Sequence, residues 1–248
     1  MVSSNQMVRI ANIIGFLTVI IVNGAANALP LNGVTTAELS DKYGNLFTPA
    51  GYVFAIWGVI YLLLAAFSYY QYRAEDELHE KIGWYFVLSC IFNSVWIFLW
   101  HYEYIALSVF AMTGLLFSLI MIYQRLDIGQ TIVPRDRLIM VNTTFSVYLG
   151  WITVAPIANV AALLVALGWD AYNITAIYIT AALILIALLL GVIYIYTRGD
   201  IAYAAVLIWA LIGIAVKQMN TWLLPYVAGF SVVIMVVVII LKKMGKLG

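Results

Sequence analysis

The amino-acid sequence predicts an all-α integral membrane protein, a polytopic bundle of about eight transmembrane helices. Three observations predict this fold class. Hydrophobic residues make up 65% of the 248 positions and charged residues 9%, with a mean hydropathy of +1.04, which lies outside the range of soluble globular domains. The apolar residues fall into eight runs of a length that can cross a bilayer. The basic residues are concentrated in one set of the connections between these runs.

The eight apolar runs have charged or polar connections between them. The runs are Ile10 to Leu29, Ala50 to Tyr70, Gly83 to Trp100, Ile105 to Tyr123, Leu138 to Leu167, Ile174 to Tyr196, Ile201 to Val216, and Thr221 to Leu241. Because the number of runs is even, both chain termini are expected on the same side of the membrane.

The positions of the basic residues test this count. With eight spans, ten of the 12 Lys and Arg residues fall on the side that holds both termini, and they are Arg9, Arg73, Lys81, Arg125, Arg135, Arg137, Arg198, Lys242, Lys243 and Lys246. The opposite side keeps Lys42 and Lys217. A model with seven spans would place one block of basic residues on the opposite side of the membrane. Because basic loops are retained in the cytoplasm, the sequence predicts a multi-pass protein of the cell membrane with both termini cytoplasmic.

The fifth run carries more polar and aromatic groups than membrane anchoring requires. At 3.6 residues per turn, one side of the helix presents Thr144, Tyr148, Trp151, Ala155 and Asn159. Polar groups in hydrocarbon need partners, so this side is expected to point toward other helices or a ligand. Pro156 removes one backbone hydrogen bond from the same stretch and is expected to bend it.

Similar stripes occur in the second and third runs. One helical face of the second run holds Phe54, Trp57, Tyr61 and Ala65, and one face of the third holds Ser89, Asn93, Trp96 and Trp100. Such stripes are more often core packing or an interfacial aromatic belt than a binding site, and Trp100, Tyr102 and Tyr104 fit the belt interpretation. The sixth and eighth runs are apolar on all sides and predict no site.

The residues that are present exclude several kinds of chemistry. Cys90 is the single cysteine, so no internal disulfide or cysteine cluster exists, and a net charge of +1 gives no basic surface for nucleic acid. No Asp or Glu falls well inside a run, which argues against proton relay by a buried carboxylate, and Lys217 is expected to snorkel from a helix end. His101 stays open as a single axial ligand for a tetrapyrrole metal. The segment from Pro30 to Pro49 is long enough to form a lid, although most such loops are connectors.

Three segments resemble the signature segments of the TspO/MBR family, the tryptophan-rich sensory or translocator proteins. They are PAGYVFAIWGVIY in the second run, FNSVW in the third and YLGWITVAPIAN in the fifth. The resemblance covers Ile10 to Leu167, and the three later runs have no counterpart in the five-helix family. It implies a TspO-like five-helix membrane unit at residues 1–167 and a three-helix membrane extension at residues 168–248. Tyr52 replaces a tryptophan usual in the family, and Val147 a proline.

The resemblance implies a protein that binds, transports or senses a planar hydrophobic ligand such as a porphyrin, haem or another tetrapyrrole. The ligand-binding residues that it implies are Tyr52, Trp57, Tyr61, Asn93, Trp96, Tyr148, Trp151 and Asn159, with no catalytic or metal-binding residue and no required cofactor. A transporter of small solutes or lipid-like molecules and an enzyme acting on a bound tetrapyrrole stay open as alternatives, with an enzyme disfavoured. The expected partners are the lipid bilayer and a hydrophobic small molecule, and a homodimer is left open.

Overall fold

The structure is a computed structural model that describes residues 4–29, 31–73 and 76–246, and these residues form helices and no strands. Each predicted apolar run contains one long helix, and we number these helices α1 to α8. They are α1 (Ser4–Ala28), α2 (Ile56–Arg73), α3 (Tyr85–His101), α4 (Ile105–Arg125), α5 (Thr143–Ala166), α6 (Ile174–Arg198), α7 (Ile201–Lys217) and α8 (Leu224–Lys243).

The lengths of these helices suit a membrane. Among the described residues, six are long and apolar enough to cross one, and these are α1, α2, α4, α5, α6 and α8. Helices α3 and α7 have 17 residues each, which gives them a length of about 25 Å, near the hydrocarbon thickness of a bilayer. The predicted fold class is confirmed, and the orientation of the termini stays a prediction.

The first five helices form a closed ring. Helix α1 packs on α2 and α3, α4 packs on α3 and α5, and α5 completes the ring by packing on α2. Two irregular turns precede the inward-facing helices, a 3-10 turn at Gly51–Ala55 before α2 and a π-helical turn at Leu138–Asn142 before α5. The ring therefore surrounds the polar and aromatic faces of α2, α3 and α5.

The last three helices attach to this ring mainly through α7, and the end of α6 also contacts the connection between α4 and α5. Helix α7 packs along α5, and α6 and α8 pack on α7 and on each other. A Cβ atom added at Gly150 of α5 would lie 3.0 Å from the carbonyl oxygen of Tyr203, so the glycine permits a close approach of α5 and α7. The division of the chain after residue 167 stays a prediction, but α7 is packed directly against the ring.

The predicted lid segment, Pro30 to Pro49, lies between α1 and α2, and Pro30 is outside the described residues. Several of its residues line the cavity described below. The segment contains a 3-10 turn at Leu31–Gly33 and a helix at Thr36–Lys42, which we call the lid helix. Thr35 caps the lid helix, because its hydroxyl accepts the N–H of Glu38 while the Glu38 carboxylate accepts the N–H of Thr35. The lid helix packs against α3.

Candidate ligand-binding site

A cavity of about 60 Å³ lies inside the ring under the lid helix. Three helices each contribute tryptophan to its wall, Trp57 from α2, Trp96 and Trp100 from α3, and Trp151 from α5. The remaining wall residues are Thr36, Ser40, Phe47, Thr48, Pro49, Phe54, Met112, Val154, Ala155, Ala158, Asn159, Ala162, Ala210 and Ile214. The cavity is therefore mostly apolar and aromatic, with few polar groups.

A second cavity of about 210 Å³ lies next to the first, on the side of α1. The two cavities share four wall residues, which are Thr36, Phe54, Trp57 and Trp96. The second cavity is more polar, since Asn23, Asn27 and Tyr61 also form its wall. The rings of Trp57 and Trp96 thus belong to the walls of both the apolar and the more polar cavity.

The aromatic rings around these cavities contact one another. The ring of Trp57 stacks on Tyr61 with a centroid separation of 5.7 Å, and its edge meets Tyr148 at 6.1 Å and Trp151 at 6.3 Å. Trp96 stacks on Trp100 at 5.8 Å. Such offset and edge contacts fix ring orientation beyond what area burial does, so the walls present defined aromatic faces.

A buried chain of hydrogen bonds joins three helices beside the cavities. The Asn23 amide donates to Asn93 Oδ1 at 2.7 Å, and the Asn93 amide donates to the Tyr148 hydroxyl at 3.1 Å. Asn93 has no exposed surface and Tyr148 is 2% exposed. This chain supplies the partners that buried polar groups need in hydrocarbon, and it positions α1, α3 and α5 relative to one another.

Asn159 holds a second set of polar contacts. Its Oδ1 accepts the Trp96 indole N–H at 2.8 Å, and its amide donates to the Ser108 hydroxyl at 2.9 Å. Trp151 differs, because its indole N–H is buried and has no hydrogen-bond partner among the described residues. An unpaired buried donor costs about 1–3 kcal/mol, and any group that accepted this N–H would recover free energy.

One comparison with known proteins identifies the family. A family model described as TSPO-like protein matches residues 9–241. The chain belongs to the TSPO-like protein family. Comparisons with curated proteins and with solved structures found no match. The family match extends beyond Leu167 through most of α8, so it covers more of the chain than the resemblance from Ile10 to Leu167 that the three sequence segments indicate.

The structure of this TSPO-like protein brings together seven of the eight residues that the sequence indicated. Trp57, Trp96, Trp151 and Asn159 line the apolar cavity, Tyr61 lines the polar one, and Asn93 and Tyr148 lie in the hydrogen-bonded chain beside them. Tyr52 lies apart, 47% exposed, with its ring edge against Trp209 of α7 at 5.4 Å. Ligand binding by these residues stays a prediction.

The side chains of Trp100 and His101 are more buried than the sequence predicts. Trp100 was assigned to an interfacial belt, but it is 5% exposed and lines the cavity of the TSPO-like fold, one helical turn after Trp96. This position agrees with the helical face that the sequence predicts for Ser89, Asn93, Trp96 and Trp100. His101 is fully buried, with its Nε2 3.0 Å from Thr36 Oγ1 and its Nδ1 3.2 Å from the Leu31 carbonyl oxygen. Both ring nitrogens therefore hold the lid, which leaves neither free for a metal in this conformation.

The two basic residues on the lid side of the TSPO-like fold both make ion pairs that involve the lid helix. Lys42, at its end, pairs with Glu103 in the connection between α3 and α4. Lys217, at the end of α7 as expected, pairs with Asp41 of the lid helix at 3.5 Å. The Tyr43 hydroxyl also donates to Glu103. Exposed ion pairs each contribute little, but together with His101 they attach the lid helix to three parts of the bundle.

We expect the attachment of the lid to weaken in acid. Hydrogen bonds from Lys42 and Tyr43 lower the pKa of the Glu103 carboxyl from its usual value of 4.5. The closed lid therefore favours the ionised carboxylate, and this contribution is present above pH 4.5 and lost as the pH falls through the lowered pKa. Hydrogen exchange of the lid-helix amides should show slower exchange in wild type than in Glu103→Gln at pH 7, with the difference vanishing at lower pH.

A matched control for this experiment is Glu77→Gln, which removes the ion pair between Glu77 and Lys81 far from the lid. This variant should exchange its lid-helix amides at the wild-type rate at every pH. Equal exchange in wild type and Glu103→Gln at pH 7 would contradict the role given to Glu103.

Proposed function

We propose that this TSPO-like protein binds a planar hydrophobic ligand between the tryptophans of α2, α3 and α5, with a tetrapyrrole as the first candidate. The observation that carries the proposal is the convergence of Trp57, Trp96 and Trp151 on one cavity. Flat apolar molecules stack on indole rings, and the unpaired N–H of Trp151 supplies a donor for a carbonyl or carboxylate edge.

The size of the cavity implies that ligand entry requires movement. Ligand sites usually enclose about 300–1,000 Å³, and a dry cavity of about 150 Å³ holds a molecule the size of benzene. The present cavity of about 60 Å³ is smaller than either. Displacement of the lid helix, together with rotation of the Trp57 and Trp96 rings that belong to the walls of both cavities, would create a larger space.

The proposal is tested by titrating the purified protein in lipid nanodiscs with protoporphyrin, haem and an unrelated amphiphile of similar hydrophobicity. Saturable binding of a tetrapyrrole without binding of the amphiphile supports the proposal, and equal partitioning of all three compounds contradicts it. A flux assay in liposomes with the bound compound then distinguishes transport from binding alone. Chemical analysis of the recovered ligand tests the enzymatic alternative.

Trp151→Phe tests whether this ring belongs to the site. The substitution removes the indole N–H and part of the stacking surface, so we expect ligand affinity to fall several-fold, or by about 1 kcal/mol, with little change in thermal stability. The absorbance of the ligand is the appropriate measurement, because removing a tryptophan alters protein fluorescence. Trp84→Phe is the matched control, since Trp84 is 54% exposed and lies at the other end of α3. A lower melting temperature with unchanged affinity would assign Trp151 to packing.

A further inference from the structure

Helix α7 forms part of the wall of the apolar cavity, although it lies outside the five-helix ring. Its contribution consists of Ala210 and Ile214, which are each 1% exposed. These residues are four positions apart and therefore lie on the same face of the helix. The cavity face of α7 thus combines one small side chain with one large side chain, opposite the tryptophans of the ring.

Three hydrogen bonds attach α7 to the segment that forms the rim of the cavity. The Trp209 indole N–H donates to the Val53 carbonyl at 3.0 Å, the Ala50 N–H donates to the Gly213 carbonyl at 3.1 Å, and the Gln218 amide donates to the Leu46 carbonyl at 3.2 Å. Each bond joins residues more than 150 positions apart in the chain. They fix the position of α7 relative to the rim residues between Leu46 and Phe54.

Gly213 brings α7 and the rim into direct contact. A Cβ atom at this position would lie 2.2 Å from Val53 Cγ2 and 3.0 Å from Pro49 Cβ, so only a residue without a side chain fits here. The helix is held close to the rim, which keeps Ala210 in the cavity wall. We therefore expect side-chain atoms added at Ala210 to reduce the volume of the cavity.

We infer that α7 determines the size of ligand that the cavity accepts, with Ala210 and Ile214 as the specificity-determining residues. The inference rests on the proposed ligand-binding function and extends it to the C-terminal helices. A larger residue at position 210 lowers the affinity for broad ligands more than for narrow ones. A smaller residue at position 214 raises the affinity for broad ligands. Residues of the ring supply the stacking surface, and α7 sets the width of the space beside it.

The test compares two planar probes of different size, protoporphyrin and a two-ring naphthalene fluorophore, on protein in nanodiscs. Ala210→Leu should weaken protoporphyrin binding by about tenfold or more and naphthalene binding much less, because added methyl groups in a pocket discriminate by about that factor. Ile214→Ala should change the ratio of the two affinities in the opposite direction. Ala205→Leu, on the exposed face of the same helix, should leave both affinities unchanged.

The outcomes separate this inference from the proposed function. If wild type binds neither probe, the proposed function fails and the inference fails with it. If wild type binds protoporphyrin and Trp151→Phe weakens binding, but Ala210→Leu and Ile214→Ala leave the ratio of affinities unchanged, the function stands and the inference is overturned. Equal weakening of both probes by Ala210→Leu, with a lower melting temperature, also overturns it.

Discussion

Asp200→Ala is expected to lower the free energy of unfolding by about 3 kcal/mol, because it removes one acceptor from three elements of the bundle at once. Asp200 precedes α7 and is 7% exposed. One carboxylate oxygen accepts the hydroxyls of Tyr123 in α4 at 2.8 Å and of Ser146 in α5 at 2.6 Å. The other oxygen caps α7 by accepting the Tyr203 N–H at 3.0 Å.

The expected magnitude follows from these three bonds. A lost helix cap costs about 1 kcal/mol, and each interhelical hydrogen bond to a buried carboxylate contributes about 1 kcal/mol in a membrane protein, where the unfolded helices also find partners. Asp200→Asn retains an acceptor oxygen in the same place, so its loss should be clearly smaller. The free energies are obtained from reversible unfolding in mixed detergent micelles.

Asp170→Ala is the control for this prediction. Asp170 is exposed and its carboxylate accepts one local N–H, that of Tyr172, so its removal should cost a fraction of a kcal/mol. If Asp200→Ala and Asp170→Ala destabilise the protein equally, the bonds from Tyr123 and Ser146 do not hold α4 and α5 to the start of α7.

The long helices could be predicted because the bilayer restricts what an apolar run can do. A backbone in hydrocarbon must satisfy its own hydrogen bonds, so a run of sufficient length becomes a helix regardless of its exact residues. The inward faces of α2, α3 and α5 could also be predicted, because polar groups in hydrocarbon need hydrogen-bond partners. Trp57, Asn93 and Trp151 are too polar or too large to be expected on lipid without a partner, and helical spacing placed their neighbours on the same side.

The position of Tyr52 could not be obtained in this way. Tyr52 was indicated by the family resemblance and not by helical spacing, because a continuous α-helix would place it about 140° from Trp57 and about 180° from Tyr61. In the structure it lies in the 3-10 turn at Gly51–Ala55. Phe54, which shares the helical face of Trp57, lines the cavity, and Tyr52 packs against Trp209 of α7. The contact between Tyr52 and Trp209 joins residues far apart in the chain, so the spacing of residues within one run does not reveal it.

The burial of the Asp200 carboxylate could not be predicted from the sequence either. Asp200 follows Gly199 in a short connection between two apolar runs, a position that usually indicates an exposed helix cap. Its burial depends on Tyr123 and Ser146, which lie 77 and 54 positions away in the chain. The roles of Ala210 and Ile214 likewise depend on packing between distant helices. Hydropathy and helical spacing describe one helix at a time and contain no information about such pairs.

Gly129→Ala is expected to lower the free energy of unfolding by about 2–4 kcal/mol. This value is the sum of the cost of a positive φ for alanine and the cost of a steric overlap with the added Cβ atom. Gly129 lies in the connection between α4 and α5 with φ at +78°, a conformation that costs an L-residue about 1 kcal/mol or more. A Cβ atom at this position would also lie 2.1 Å from the carbonyl oxygen of Arg198, at the end of α6. A backbone atom cannot rotate away as a side chain can, so the α4–α5 connection and the end of α6 would have to separate.

Gly168→Ala separates the two penalties, because Gly168 has a similar φ of +88° but nothing within 4 Å of the added Cβ atom. It should therefore lose only the backbone contribution of about 1 kcal/mol. Unfolding of both variants in the same mixed micelles gives the difference, which measures the contact between the α4–α5 connection and Arg198. If the two alanine variants unfold with equal free energies, the close approach of Gly129 to Arg198 contributes nothing to the attachment of α6 to the ring.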